Sequence, residues 1–175
     1  SLEAKRLFNE GRAQLERFQF QEAKDELKRA IELDPSFALA HLYLSMAKTG
    51  GDEFEHNELK KAINLADNVS SGERHLVLYA KAYEDGNEQA MNNNLEMLRN
   101  NYPEDERVRF WLGRHYYIKQ QYPKAIRQLK LAYEINRDYH PVINMLGYAY
   151  MATNNMNEAR RYFTMYMDML PDHAN

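Results

Sequence analysis

Chemistry in this chain has to be sought among 6 histidines, 26 aspartates and glutamates and 23 lysines and arginines, because there is no cysteine. Disulfides, thiolate nucleophiles and thiolate zinc sites are thereby excluded. His41, His56, His75, His115, His140 and His173 include no pair three or four residues apart, so no helix face presents the two imidazoles of a metal site. There is no Gly-rich phosphate loop, nucleophile elbow or kinase signature. The carboxylates recur at helical spacing and read as solvated faces and side-chain pairs, such as Glu22 with Arg29 nearby. No catalytic residue, metal or cofactor is expected, and the chain is read as not an enzyme.

Binding chemistry is easier to locate. Arg107 and Arg114 are seven residues apart, two helical turns, so both can point to one side of a helix with Phe110 between them. Guanidinium groups attract carboxylates and aromatic rings supply apolar contact. Both residue types are enriched at the hot spots of protein interfaces.

The elements that hold these residues follow from composition and period. A chain of 175 residues suits one compact domain or one short repeat array. A 44% hydrophobic and 28% charged composition belongs to a folded chain. Seven glycines and five prolines are too few to punctuate a many-stranded sheet. The net charge of -3 is spread without a basic block, so no nucleic-acid partner is expected. No apolar run is long enough to span a bilayer, and no signal peptide opens the chain. Ser1-Leu2-Glu3-Ala4 already looks helical and lacks an initiator Met, so the chain reads as a trimmed product. Cytoplasm and bacterial periplasm fit equally.

A repeat emerges by arithmetic. Gly11, Gly113 and Gly147 are separated by 102 and 34 residues, and so are Ala23, Ala125 and Ala159. Pro35, Pro103 and Pro171 stand 68 apart. All lie on one 34-residue grid. Within each period apolar residues recur at helical spacing, enough for two helices of about a dozen residues and a short turn. A helix-interior glycine costs about 1 kcal/mol relative to alanine. Its recurrence therefore predicts a close approach between the two helices of a pair, with Ala23, Ala125 or Ala159 facing the glycine.

The unit 106–139, with Leu112-Gly113, Tyr116, Tyr122, Ala125, Leu129 and Ala132, closely resembles the tetratricopeptide repeat. The unit 140–173 repeats it through Leu146-Gly147, Tyr150, Ala159, Phe163 and Pro171. The unit 4–37 does so through Gly11, Phe20, Ala23, Leu27, Ala30 and Pro35. Between them lie two degenerate units, 38–71 and 72–105. In the first, Ala62-Ile63 sits two residues early. In the second, Gly86 and Ala90 suggest a shortened turn. Because the grid is recovered at Glu106, insertions and deletions must cancel. The resemblance implies an all-α, right-handed α-solenoid: a single array over 1–175 of five helix–turn–helix repeats and about ten helices.

It also implies a function, protein–protein interaction, with the first helix of each repeat lining a concave groove. The family's groove positions fall on Arg107, Phe110, Trp111, Arg114 and Tyr117 in the fourth unit, Asn144, Tyr148 and Met151 in the fifth, and Tyr43 in the second. For Trp111 and Met145, packing between neighbouring helices is an equal reading. Co-chaperones of this family clamp a C-terminal carboxylate with Lys, Asn and Arg side chains. Here Phe8, Arg12 and Tyr43 depart from that set, so the clamp is not expected. The implied partner is a protein or peptide segment, extended or helical, with apolar and acidic residues. A rival reading is an assembly module that self-associates through its last helix, Asn157 to Leu170, where Tyr162, Phe163, Met165, Tyr166, Met167 and Met169 leave more than one side apolar.

Overall fold

The computed structural model describes residues 1–47 and 51–169. Among these residues the chain forms ten α-helices and no strand. They are α1 (Leu2–Glu16), α2 (Phe20–Leu33), α3 (Ala38–Met46), α4 (Asp52–Leu65), α5 (Ser71–Glu84), α6 (Glu88–Asn101), α7 (Glu106–Ile118), α8 (Tyr122–Ile135), α9 (His140–Ala152) and α10 (Met156–Asp168). A 3-10 turn at Ala66–Asn68 follows α4. No described helix is long and apolar enough to cross a membrane. Leu170, Pro171 and His173, with which the last repeat was expected to end, lie outside the described residues.

Short side chains start several helices. Ser1 Oγ accepts from the Ala4 amide at 3.0 Å, and Asp105 accepts from the amides of Arg107 and Val108. Ser70 and Glu73 satisfy each other's backbone amides in a capping box. Pro123 and Pro141 occupy first-turn positions, where a missing N–H costs nothing.

The first helices α1, α5, α7 and α9 end in a repeated device. At α1 the Phe18 amide donates to Leu15 O and the Gln19 amide to Gln14 O, both at 3.0 Å. This pair of bonds defines a Schellman turn, which needs a left-handed residue just past the helix. That residue is Phe18 (φ 62), and its equivalents are Gly86 (φ 65), Gln120 (φ 56) and Asn154 (φ 59). They fall on the 34-residue grid. The shortened turn expected at Gly86 is therefore absent: residues 85–87 make the same three-residue link as 17–19, 119–121 and 153–155. The shortening lies in α3, which has 9 residues where α1 has 15. Leu59 and Ala62 thereby arrive early at the places that Leu27 and Ala30 hold in the first repeat. The first helices of the last four repeats begin at residues 38, 71, 106 and 140. One repeat is thus a residue short, the next a residue long, and the period recovers at Glu106.

The helices gather into two compact units, Ser1–Leu98 and Arg99–Asn175. In the first, Leu7, Phe8, Leu27, Ala30, Tyr43 and Leu44 bury the contact of α1, α2 and α3. Leu42, Leu59, Ala62 and Val77 do the same for α3, α4 and α5. In the second, Leu129, Ala132, Val142, Ile143, Leu146 and Tyr162 join α8, α9 and α10. An isolated pair cannot bury its apolar faces, and stacking a neighbour on it can.

The glycines show how a pair closes. A Cβ on Gly11 would lie 2.8 Å from Leu27 Cγ, one on Gly113 2.6 Å from Leu129 Cγ, and one on Gly147 2.5 Å from Phe163 Cε1. The residue that glycine admits is therefore the one four after the expected alanine. The alanine contributes its backbone, with Ala23 O at 3.1 Å and Ala125 O at 3.4 Å. The Glu22–Arg29 pair does not form: Arg29 meets Glu26 at 2.9 Å, one turn away rather than two.

Candidate functional site

The unit Arg99–Asn175 carries all the expected groove residues except Tyr43, and places them on α7 and α9, which pack side by side. Arg107 bonds Glu106 at 2.9 Å and lies 5.6 Å over the Tyr139 ring. Phe110 sits between Trp111 and Tyr139, with ring centroids at 5.8 and 5.7 Å. Trp111 is buried, with the Arg114 guanidinium 5.4 Å over its ring, so it supports the arginine as much as it lines a surface. Tyr117 and Asn144 are half-buried, whereas Tyr148 and Met151 are 44% and 43% exposed. Tyr43 lies in the other unit, buried edge-on against Phe8 at 5.5 Å. Its ring belongs to the core of α1–α3, at the grid position that Trp111 holds in the fourth repeat, where the ring is buried too.

The electrostatics of this face are one-sided. Helix α7 brings Arg107 and Arg114 to it against one acid, Glu106, while Arg109 is turned to α8 and the preceding turn, and α9 carries no Asp, Glu, Lys or Arg. Burial pushes the Tyr117 phenol above its ordinary value, and the nearby phenols of Tyr122 and Tyr148 push it further. Tyr166 on α10 is raised by burial too, with Tyr148 adding to it. These two phenols stay protonated, able to donate.

Sequence reasoning missed Tyr122, Phe163 and Tyr166 as parts of this face. The Tyr122 ring lies 5.5 Å from Tyr117, and Phe163 5.1 Å from Tyr148. A signal was available for Tyr166, which stands on the grid where Ala30 and Ala132 stand. Those alanines are buried beneath the next first helix, whereas Tyr166 is half-buried.

Several titratable residues outside this face are tied into the scaffold. His41 Nδ1 pairs with Glu58 Oε2 at 2.6 Å, and its Nε2 with Pro35 O at 3.1 Å. One period on, His75 bonds Asn94 at 2.9 Å. One further, Arg109 donates to Pro103 O at 3.0 Å and to Gln128 at 3.1 Å. Each ties the start of a first helix to the second helix of its repeat, and two of them also hold the preceding turn. His56 pairs with Glu84 at the surface. No group of three or more residues fit to hold a metal ion gathers among the described residues.

Models described as tetratricopeptide repeat match residues 4–37, 94–141 and 140–165. A search of curated proteins found no match. Among solved structures, MamA is similar at 20% identity, over 94% of this chain and 96% of that one, with a TM-score of 0.54. YrrB, a TPR protein with an unusual peptide-binding site, aligns at 17% identity over 95% of this chain and 86% of its own, with a TM-score of 0.53. PilW, a type IV pilus biogenesis factor, aligns at 14% identity over 96% of this chain and 78% of its own, with a TM-score of 0.57. At such identities the likeness speaks to the fold.

Proposed function

Because the chain belongs to the tetratricopeptide repeat family, whose α-solenoids serve as protein-interaction scaffolds, we propose that it grips a partner segment across α7 and α9. In this reading Arg107 and Arg114 draw acidic residues of the partner, and Phe110, Tyr117, Tyr148 and Met151 supply apolar contact. The observation that carries it is the pairing of exposed aromatic surface with two arginines, Arg107 and Arg114, on the same two helices. Arginines lying over rings, as Arg107 and Arg114 do, are also held in place for a ligand. The peptide-binding site of YrrB, on the same fold, agrees with this reading.

The test takes labelled peptides that combine acidic and apolar residues and measures their affinity by fluorescence anisotropy. Replacing Arg114 and Tyr148 together by Ala should cost at least about 2 kcal/mol, the scale of a hot spot, while helicity stays nearly intact. Binding should weaken with added salt without vanishing, because screening acts on the exposed charges. A double variant that binds as tightly as the parent would move the site elsewhere.

A further inference from the structure

We propose that α10 pairs with the α10 of a second copy of this chain, antiparallel to it, through the stripe Met156, Arg160, Phe163 and Met167. The proposal goes beyond the partner site on α7 and α9 and does not depend on it. In α2, α4 and α8 the side turned to the next repeat is closed. Ala30, Ala62 and Ala132 are fully buried there, among residues of the following first helix. Leu27 and Leu129 are fully buried beside them. On α10 the same grid places hold Phe163 and Tyr166, both only half-buried, and Met156 and Met167 next to them are exposed. Contiguous exposed apolar side chains of this kind mark an interaction surface.

Side-chain size, spacing and charge select the occupant. Tyr166 stands where three other second helices carry alanine. A phenol ring holds an approaching helix farther off than a methyl group does. The face is therefore not shaped for a further repeat seated as α3, α5 and α9 are. Met156, Arg160, Phe163 and Met167 follow at intervals of four, three and four residues, so they share one face of α10. That series reads the same in both directions. An antiparallel copy sets Met156 against the copy's Met167 and Arg160 against the copy's Phe163, each contact occurring twice, as a twofold interface requires. Arg160 is exposed and makes no ion pair among the described residues, whereas Arg161 is held by Glu158 at 3.2 Å. In the pair each Arg160 guanidinium gains a ring face, the contact that Arg161 already makes over Tyr162 at 5.6 Å. A parallel copy would instead set Arg160 against Arg160, like charge on like charge. Methionines, unbranched and polarizable, fill the two ends of the stripe.

The 13 residues of α10 make a helix about 20 Å long. One such helix against its copy buries less than a standard interface of about 1,600 Å², so the dimer should be reversible, with Kd of roughly 10–500 µM. Sedimentation of the full chain across about 10 µM to 1 mM should show monomer passing to dimer. Met167→Lys, felt twice across the twofold axis, should raise Kd at least about tenfold with the helical spectrum unchanged. The chain has no cysteine, so oxidative cross-linking reads the orientation. A mixture of Met156→Cys and Met167→Cys chains should join through a disulfide, which demands close approach of the two residues. Neither variant should join to itself, because its two sites lie about 16 Å apart along the antiparallel pair. A chain still monomeric at about 1 mM overturns the proposal. So does a dimer indifferent to Met167→Lys, a mixture that does not join, or a single variant that joins to itself. None of these measurements involves a peptide, so their failure leaves the partner site on α7 and α9 standing.

Discussion

Gly113→Ala sets two opposing effects against each other. In an exposed helix interior the change would stabilise by about 1 kcal/mol, because alanine loses less backbone freedom on folding. In α7 the new methyl carbon would start 2.6 Å from Leu129 Cγ and 2.7 Å from Leu129 Cδ2. Carbon atoms in contact normally lie about 3.5–4.0 Å apart, so the overlap approaches 1 Å. Leu129 is fully buried. The clash is at its branch carbon, next to the backbone, so relief requires α8 to move away from α7 rather than a rotamer change. The overpacking therefore falls in the upper part of the usual range of about 1–3 kcal/mol. The net effect is a loss of about 1–2 kcal/mol, a melting-point fall of roughly 2–4 °C per kcal/mol for a chain of this size. At Gly147 the obstruction is the outer edge of the Phe163 ring, on a half-buried side chain that can swing aside. Gly147→Ala should accordingly cost less than Gly113→Ala. Thermal and urea denaturation followed by helical circular dichroism would measure both. Leu129→Ala made in each background should show coupling of about 1 kcal/mol or more. A Gly113→Ala variant that melts higher than the parent, or zero coupling with Leu129→Ala, would refute this account of how the pair closes.

Phe18 holds a left-handed backbone at which Gly86, Gln120 and Asn154 stand in other repeats, so Phe18→Gly should raise stability by about 1 kcal/mol in urea titration. His41→Ala should cost about 1–3 kcal/mol, because it strips one hydrogen-bond partner from the buried Glu58 carboxylate, which keeps Lys61. Burial acts to raise the Glu58 carboxyl, but its bonds to Lys61 and His41 outweigh burial and hold it below the ordinary glutamate value of 4.5. A depressed folded value means that its stabilisation is present above pH 4.5 and is lost as pH falls through the folded value. Glu58→Gln should lose that acid-side slope when stability is measured across pH 3–6. Met156 and Met167 on α10 are 52% and 50% exposed, the observation that favours the rival reading of an assembly module. In that reading the chain sediments as an oligomer and Met167→Lys shifts it toward monomer, whereas a parent chain that is monomeric at high concentration excludes it.

The fold was legible because the 34-residue grid is written in residues that only one packing tolerates. Gly11, Gly113 and Gly147 recur where a methyl group would collide with the paired helix, and Ala30 and Ala132 where the next helix must approach. Ser1, Ser70 and Asp105 cap helix starts through their side chains, a local signal that the repeat reading did not use. The left-handed turns were less visible, since Phe18 and Gln120 do not announce a positive φ as Gly86 does. Their conformation is imposed by the bonds that close the turn. Tertiary structure alone decided which aromatic side chains remain exposed. Helical spacing puts Tyr43, Trp111, Tyr117 and Tyr148 on equivalent faces, yet Tyr43 and Trp111 are buried and Tyr148 is 44% exposed. The difference lies in what packs over each ring: Tyr43 meets Phe8, and Trp111 lies under Arg114 and beside Phe110. The place of Phe163 beside Tyr148 was invisible for the same reason. Adjacency between α9 and α10 is a property of their packing that no spacing within one helix can express.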